Sequence, residues 1–395
     1  MRLEISTAPH IRTGDTSKKM IGDVIIALLP LCFMAFYYYG GRSSLIILQC
    51  ILASWVTDRL LSLLRPRKFI KADFSSVVTG MIVALMMPAS VPYWLPISCC
   101  IFAIAVVKHP FGGFGNNPFN PAAAAVALAM VCFPSLMFKF PVPLDRIDFS
   151  GEVMVKLVDS SASILKLGGI PALDEVEVLL GKQAGPMGVT NILVITACLI
   201  FLLVRKTVSL CTVGPLVGVC ALSALLTPRT VAGSGLSSLF FELTSGSLLF
   251  CAVFVASDPV TSPNTRIGRV VFGSLAGGFT MLLRQIGAYE EGALFAILLL
   301  NSLSGFFDRA VYSLCRQGRA FLVGKGKSRP MKESKPQPEE LPPAAPPPAS
   351  SREADDSLSA LKRELSGLSD PLGARLAALD AQEPPKTAVK EEENA

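Results

Sequence analysis

The sequence predicts an all-α polytopic membrane protein with about ten transmembrane helices in two inverted five-helix halves. The chain of 395 residues is 51% hydrophobic and only 17% charged, whereas soluble domains carry about 25% charged residues. Apolar segments approaching the length that crosses a bilayer recur along the chain. A long loop, 139–189, divides these segments five and five, and two halves with an odd number of spans have opposite topology, as inverted repeats do.

Ten apolar segments are the candidate spans. In chain order they are 21–40, 44–64, 76–92, 93–107, 121–138, 190–204, 208–227, 246–257, 269–285 and 292–312. Lysine and arginine are concentrated in alternate connections, and basic connections stay in the cytoplasm. We therefore expect both termini to be cytoplasmic, with a first membrane half over 1–138, an extracytoplasmic loop over 139–189 and a second membrane half over 190–323. Two of the segments, 76–92 and 246–257, could instead be half-helices or tilted entries into the membrane.

Beyond residue 323 the composition changes. Residues 324–351 are rich in Pro, Lys and Glu, which is typical of an extended disordered linker. Leucines then recur at heptad-like spacing from Leu358 to Leu372, although Gly367 and Pro371 interrupt them. The sequence predicts a disordered Pro-rich cytoplasmic tail over 324–395 with a short amphipathic helix. Whether that helix is merely solvated or docks on a cytoplasmic partner is left open.

Composition also excludes some classes of protein. The ten cysteines lie mostly in apolar segments and form no CxxC pair, so we interpret them as small buried residues. Two histidines are too few for a multi-haem cytochrome, which needs axial histidines on facing helices. The net charge of +6 is spread over loops without a basic patch interleaved with aromatics, which argues against nucleic-acid binding.

Residues 109–121 form a break between two apolar segments. The stretch holds three glycines and three prolines, and proline fixes φ and removes a hydrogen-bond donor while glycine permits close backbone approach. At membrane depth, irregular backbone is tolerated only where protein covers it or where it lines a cavity. The pattern predicts a packed break, and on its own it leaves a re-entrant turn and a ligand site equally open.

Three further positions carry polar chemistry. Asp258 follows the eighth segment, and carboxylates at membrane depth usually handle ions or protons; the alternative is a capped turn in which Asp258 and Thr261 accept backbone N–H groups. Asp23, where the first span begins, is a second candidate for the ion path or a helix cap. Judged by residue type alone, Asp159 to Ser163 is an ordinary hydroxyl-rich turn.

Several separated motifs occur in the order in which a known family carries them. They are residues 73–80, 108–122, 257–263 and 265–269, followed by Glu291-Gly292 and Asn301. Together they resemble the D subunit of the Rnf complex and the homologous B subunit of the Na⁺-translocating NADH:quinone reductase. The resemblance covers about 1–312. It implies a membrane protein, embedded in lipid in a bacterial cytoplasmic (inner) membrane, whose complex couples flavin-mediated electron transfer to Na⁺ or H⁺ translocation, with partner subunits handling ferredoxin and NAD⁺.

The resemblance also implies flavin cofactors. The family joins FMN through its phosphate to the threonine of a Ser-Gly-Ala-Thr motif, and the matching stretch here is Ser160-Ser161-Ala162-Ser163. Ser163 would then carry covalent FMN as a phosphoester, and Ser161 stands in place of the glycine. The family further holds a non-covalent, riboflavin-type flavin among its helices. Its expected neighbours here are Gly113, Gly115, Asn116, Asn117 and Asn120.

Two other functions remain open at this stage. A solute channel or carrier on the same inverted-repeat scaffold would also contain breaks in paired halves. An assembly protein that has lost its flavin would keep only its contacts with the other members of the complex.

Overall fold

The structure is a computed structural model that describes residues 17–63, 74–113, 115–145, 147, 156–169, 171–228, 235–287 and 291–313. The predicted tail over 324–395 and its amphipathic helix lie outside these residues. The same holds for the basic residues before Ser17, for the basic connection 64–73 and for the first residue of the 73–80 motif.

Helices dominate the described residues. They are α1 Ser17–Tyr39, α2 Gly41–Leu63, α3 Ser75–Leu85, α4 Trp94–Phe102, α5 Pro121–Cys132, α6 Pro134–Met137, α7 Ser161–Lys166, α8 Glu175–Leu180, α9 Ile192–Val204, α10 Leu210–Leu226, α11 Gly235–Thr244, α12 Leu248–Phe250, α13 Arg266–Ile286, α14 Gly292–Asn301 and α15 Ser304–Ser313. We call the predicted loop over 139–189 the outer loop. In it, strands β1 (Phe140–Pro141) and β2 (Leu157–Val158) pair antiparallel, with Phe140 opposite Val158.

Two π-helical segments continue α4 and α12. Ala103–Lys108 follows α4 and Cys251–Val255 follows α12. Their wider turns end in hydrogen bonds over five residues, from His109 N to Ile104 O at 3.0 Å and from Ala256 N to Cys251 O at 2.8 Å. Each π-helical segment leads directly into one of the two loops that the sequence singles out.

All ten predicted segments contain helix, which confirms a mostly helical membrane protein. Among the described residues, α1 and α2 are long and apolar enough to cross a bilayer alone. Two bent pairs, α11 with α12 (62°) and α14 with α15 (54°), add two spans if each pair is taken as one. Five other apolar helices have 10–17 residues. The number of ten spans and the inverted halves stay predictions.

The structure contains one helix in the second half that the apolar pattern does not predict. Helix α11 carries Ser237, Ser238 and Glu242, and these polar residues hide it from a search for apolar runs. Its Phe241 packs with Leu165 of α7 and Val178 of α8 in a small separate hydrophobic cluster. Helix α11 therefore connects the outer loop to the membrane part.

A buried arginine supports the non-helical stretch 86–93 between α3 and α4. The Nε atom of Arg42 donates to the carbonyl of Ala89 and its NH2 group to that of Val91, both at 2.9 Å. The guanidinium also lies 4.5 Å from the centre of the Tyr93 ring. These contacts satisfy carbonyls that the break removes from helical hydrogen bonding.

A second buried arginine supports the break between α11 and α12. Arg284 donates to the carbonyls of Glu242 at 2.7 Å and Ser245 at 2.9 Å. The backbone N–H of Ser247 lies 3.0 and 2.8 Å from the two carboxylate oxygens of Glu291, which also accepts from the Ser247 hydroxyl. The backbone groups that lose their helical partners at this bend are thus hydrogen-bonded by charged side chains, one from α13 and one from the residue before α14.

Candidate functional site

A cavity of about 400 Å³ lies where two loops meet. We call residues 109–120, between α4 and α5, the first loop, and residues 256–265, between α12 and α13, the second loop. Parts of α1, α3 and α9 complete the wall. The polar and glycine positions from the loops and their margins that line the cavity are Lys108, Gly115, Asn117, Asn120, Ser257, Asp258 and Asn264.

Asn120 joins the two loops. Its Oδ1 atom accepts the backbone N–H groups of Ala122 at 3.1 Å and Ala123 at 3.2 Å, so it caps α5. Pro121 suits the first helical position because no N–H is needed there. The Nδ2 atom of Asn120 donates to Oδ2 of Asp258 at 3.2 Å. One amide therefore starts a helix and fixes the distance between the loops.

Asp258 forms the turn that the sequence suggests and also lines the cavity. Its Oδ1 atom accepts the N–H of Val260 at 3.2 Å, and its Oδ2 atom accepts the hydroxyl of Thr261 at 3.4 Å. Enclosure by the surrounding protein raises the pKa of this carboxyl from 3.8 to about 6, although the hydrogen bonds it accepts lower the pKa. The capped turn is confirmed for Asp258, whereas Thr261 contributes by donating its hydroxyl to that carboxylate. The turn presents an acid of raised pKa to the cavity.

The first loop closes on itself through glycine. Gly113 has φ +87° and Gly115 φ +98°, in the left-handed region that favours glycine. The N–H of Gly113 donates to the carbonyl of Lys108 at 3.2 Å. With its amide oriented to satisfy its partners, Asn117 donates to the carbonyls of Gly113 at 3.1 Å and Lys108 at 3.3 Å. These bonds hold the backbone of the loop against the cavity.

The five predicted flavin neighbours separate into two groups. Gly115, Asn117 and Asn120 line the cavity. Gly113 and Asn116 are not among its lining residues. The side chain of Asn116 instead lies over the neighbouring turn, where a Cβ at Gly112 would come within 2.9 Å of the Asn116 Nδ2 atom.

Asp58 is a site residue that sequence reasoning misses. Its Oδ1 atom accepts from Nζ of Lys108 at 3.0 Å and lies 2.9 Å from Nε2 of His109. The Lys108 ammonium also donates to the hydroxyl of Ser75 at 2.8 Å. A signal for Asp58 is present in the sequence, because a carboxylate within the predicted span 44–64 is costly unless it has such partners.

Asp308 holds the second loop through its carboxylate, as Asp58 holds the start of the first loop, and sequence reasoning misses it too. Its carboxylate accepts the N–H of Asn264 at 2.9 Å, the N–H of Thr265 at 3.0 Å and the Thr265 hydroxyl at 2.8 Å. Thr265 in turn caps α13 by accepting the N–H of Gly268 at 3.1 Å. Since Asn264 lines the cavity, Asp308 fixes one part of its wall from α15.

Asp23 lies beside the cavity without lining it. Its Oδ1 atom accepts from Nε of Arg205 at 3.0 Å and from the NH2 group of Arg205 at 2.8 Å, and its Oδ2 atom accepts the Thr207 hydroxyl at 3.1 Å. Thr207 does line the cavity. Asp23 thus ties α1 to the end of α9 rather than capping α1, and its role in an ion path stays a prediction.

Ser163 lies away from the cavity, in the outer loop. The sequence suggests a plain turn here, but Ser160 caps the short helix α7 by accepting the N–H of Ser163 at 3.1 Å. Leu165 anchors this helix against Phe241 of α11. Ser163 itself is half-buried, and no hydrogen bond among the described residues uses its hydroxyl. Its role as an attachment point for FMN stays a prediction.

Comparison with known proteins places the chain in a family. The NQR2, RnfD, RnfE family matches residues 4–314. Similar proteins include the D subunit of the proton-translocating ferredoxin:NAD(+) oxidoreductase complex of Clostridium ljungdahlii, which is 28% identical over 77% of this chain and 93% of its own length. The D subunit of the ion-translocating oxidoreductase complex of Mannheimia succiniciproducens is 30% identical over 78% of this chain and 95% of its own length. The D subunit of the Na(+)-translocating ferredoxin:NAD(+) oxidoreductase complex of Acetobacterium woodii is 28% identical over 78% and 93%. Because the match spans both loops, the cavity and the outer loop, the chain belongs to the NQR2, RnfD, RnfE family.

Proposed function

We propose that this chain is the D subunit, a membrane component, of an ion-translocating oxidoreductase complex. Its complex couples electron transfer between ferredoxin and NAD to the movement of Na⁺ or H⁺ across the bacterial inner membrane. Family membership and the names of similar proteins support this function. The structural observation that carries it is the hydrogen bond between Asn120 and Asp258, which joins two loops at a mostly apolar cavity that also receives polar groups from both loops.

Covalent FMN at Ser163 is the first part of the proposal. The half-buried position of Ser163 fits a phosphoester, and so does its hydroxyl, which forms no hydrogen bond among the described residues. Ser161 stands where the family motif has a glycine. Only 5% of its surface is exposed, so it lies against the protein and does not face the enzyme that would attach FMN. We expect the serine at 161 to be tolerated for that reason.

A second, non-covalent flavin in the cavity is the second part. The volume of about 400 Å³ lies within the range of roughly 300–1,000 Å³ that small-molecule sites occupy. The apolar wall suits a flat ring, while Asn117, Asn120 and the backbone at Gly115 supply the amide groups that orient one. When bound, the flavin supplies the redox chemistry, and this chain supplies binding, orientation and electrostatics.

Ion movement is the third part. Asp258 is placed to hold a cation or a proton at the cavity, and Asp23 lies next to Thr207, another residue of the cavity wall. We further propose ten spans in two inverted halves, with both termini cytoplasmic and with the loop that carries Ser163 on the extracytoplasmic side.

The test uses the full chain purified from its native membrane. We expect in-gel flavin fluorescence after denaturing electrophoresis, and a peptide spanning 157–166 that carries the mass of FMN. Ser163→Ala should remove both signals and leave the acid-extractable, non-covalent flavin unchanged. Colourless wild-type protein would refute the redox function and favour a solute carrier or an assembly protein. Covalent flavin that persists in Ser163→Ala would refute this acceptor alone.

A further inference from the structure

One cationic side chain reaches the wall of the cavity from the first π-helical segment. Lys108 ends that segment, is 3% exposed, and lines the cavity. A buried ammonium is costly unless counter-charges and hydrogen-bond acceptors surround it. At this position its charge acts on whatever the cavity binds, because a low-dielectric surrounding strengthens the interaction.

Asp58 holds this ammonium from outside the cavity. The distance from Lys108 Nζ to Asp58 Oδ1 is 3.0 Å, and the Asp58 side chain is 16% exposed. Asp58 is not among the residues that line the cavity. The same oxygen lies 2.9 Å from Nε2 of His109, the first residue of the first loop.

We propose that Asp58 is a positioning residue that fixes Lys108 at the cavity wall and balances its charge, and that it thereby sets the reduction potential of the flavin bound there. This inference rests on the proposed non-covalent flavin. Asp58 acts through Lys108 and does not touch the ligand.

The sign of the effect follows from charge. Reduction adds electrons to the flavin ring, so a positive charge at the wall favours the reduced form and a negative charge disfavours it. The opposite charges of Lys108 and Asp58 partly offset each other in their effect on the cavity. Removing the Asp58 carboxylate takes away a negative charge and so favours the reduced flavin, whereas removing the Lys108 ammonium takes away a positive charge and disfavours it.

The experiment is a redox titration of the cavity flavin in the full-length protein in detergent, on a Ser163→Ala background that removes covalent flavin. We expect Asp58→Asn to shift the midpoint potential to a more positive value and Lys108→Met to shift it to a more negative value. The double variant, Asp58→Asn with Lys108→Met, should return close to the background protein. Asp58→Glu, which keeps the charge, should also stay close to it.

The matched control is Glu177→Gln. This substitution also removes one carboxylate with a lysine partner, since Glu177 pairs with Lys182 at 3.3 Å, but the pair is exposed and neither residue lines the cavity. We expect no shift. Equal potentials in Asp58→Asn and the background protein, or shifts of one sign in both single variants, would overturn the inference.

Loss of flavin from a variant is a separate outcome. If Asp58→Asn loses its flavin, the inference is tested by Lys108→Met alone. A midpoint potential in Lys108→Met that is unchanged or more positive than in the background protein overturns the inference. A background protein that holds no extractable flavin would overturn the proposed cavity flavin and, with it, this inference. A flavin that is present but insensitive to both charges would overturn only the inference.

Discussion

The Nδ2 atom of Asn120 donates to the Oδ2 atom of Asp258 over 3.2 Å, across 138 positions of sequence. Each residue has a local task as well, since Asn120 caps α5 and Asp258 shapes the turn to Val260. The pair therefore couples the start of a helix in the first predicted half to a turn in the second. A substitution at either position tests a local and a long-range role together.

Asn120→Ala should weaken both roles. Loss of the cap on α5 costs about 1 kcal/mol of stability, and loss of the bond to Asp258 should lower the occupancy of the non-covalent flavin. Asn120→Asp is the matched variant, because it keeps the cap but places a second carboxylate against Asp258. Thermal unfolding and extracted flavin per chain should separate the two effects. Equal flavin occupancy in all three proteins would contradict the joining role.

Asp258 should make stability depend on pH. Its folded pKa of about 6 exceeds the ordinary value of 3.8, so the folded protein favours the protonated acid. The stabilising contribution is complete below pH 3.8 and is lost as the pH rises through about 6. Asp258→Asn should lack this component, and the difference in unfolding midpoint between the two proteins should therefore change as the pH rises from about 4 to just above 6. A constant difference would contradict the raised pKa.

Asp308→Ala should loosen the second loop. The substitution leaves two backbone N–H groups and one hydroxyl without the charged acceptor that they share, and a hydrogen bond to a charged group contributes about 1.5–3 kcal/mol. We expect a lower unfolding midpoint and reduced flavin occupancy. Asn264→Ala is the comparison variant, since it keeps the backbone N–H bond to Asp308 and loses only the side-chain contacts of Asn264 with Asp308 and the cavity. Comparable losses in both variants would place the effect in the Asn264 side chain instead.

Arg42→Met should be strongly destabilising. It leaves the buried carbonyls of Ala89 and Val91 without these donors, and an unmet buried polar group costs about 1–3 kcal/mol. Arg59→Met on the same helix is the control, because Arg59 is exposed and lies 5.7 Å from the Trp55 ring. Denaturation in detergent should show a large shift for Arg42 and almost none for Arg59.

Removing either member of the Asp23 and Arg205 ion pair should lower stability by a different amount. The Asp23 side chain is 5% exposed and that of Arg205 is 42% exposed. Arg205→Met leaves a buried carboxylate without its ion partner, whereas Asp23→Asn leaves an arginine that water can solvate. Arg205→Met should therefore lower the unfolding midpoint more than Asp23→Asn does. The reverse order would indicate that the Asp23 charge serves ion binding rather than this contact.

The sequence predicts the local features of the site and misses the long-range ones. Glycine and proline restrict the backbone by themselves, so the break at 109–121 and the turn at Asp258 are visible in the pattern. The contacts of Asp58 and Asp308 depend on which helices become neighbours, and no local pattern contains that information. Their charges within apolar segments are the available signal. Helix α7 is missed because a single capped turn of six residues has too little periodicity to detect.

The π-helical segments give the two loops a common vulnerability. The segments Ala103–Lys108 and Cys251–Val255 each place a wide helical turn directly before a loop, and this turn sets the direction in which the loop begins. If the residues of either segment wound as an ordinary α-helix instead, the tighter turn would rotate everything after it by roughly 100°. Asn120 and Asp258 would then point away from each other with every side chain of both loops intact. The geometry of the cavity therefore depends on the rotation of the helical segments that precede its two loops as much as on the residues that line it.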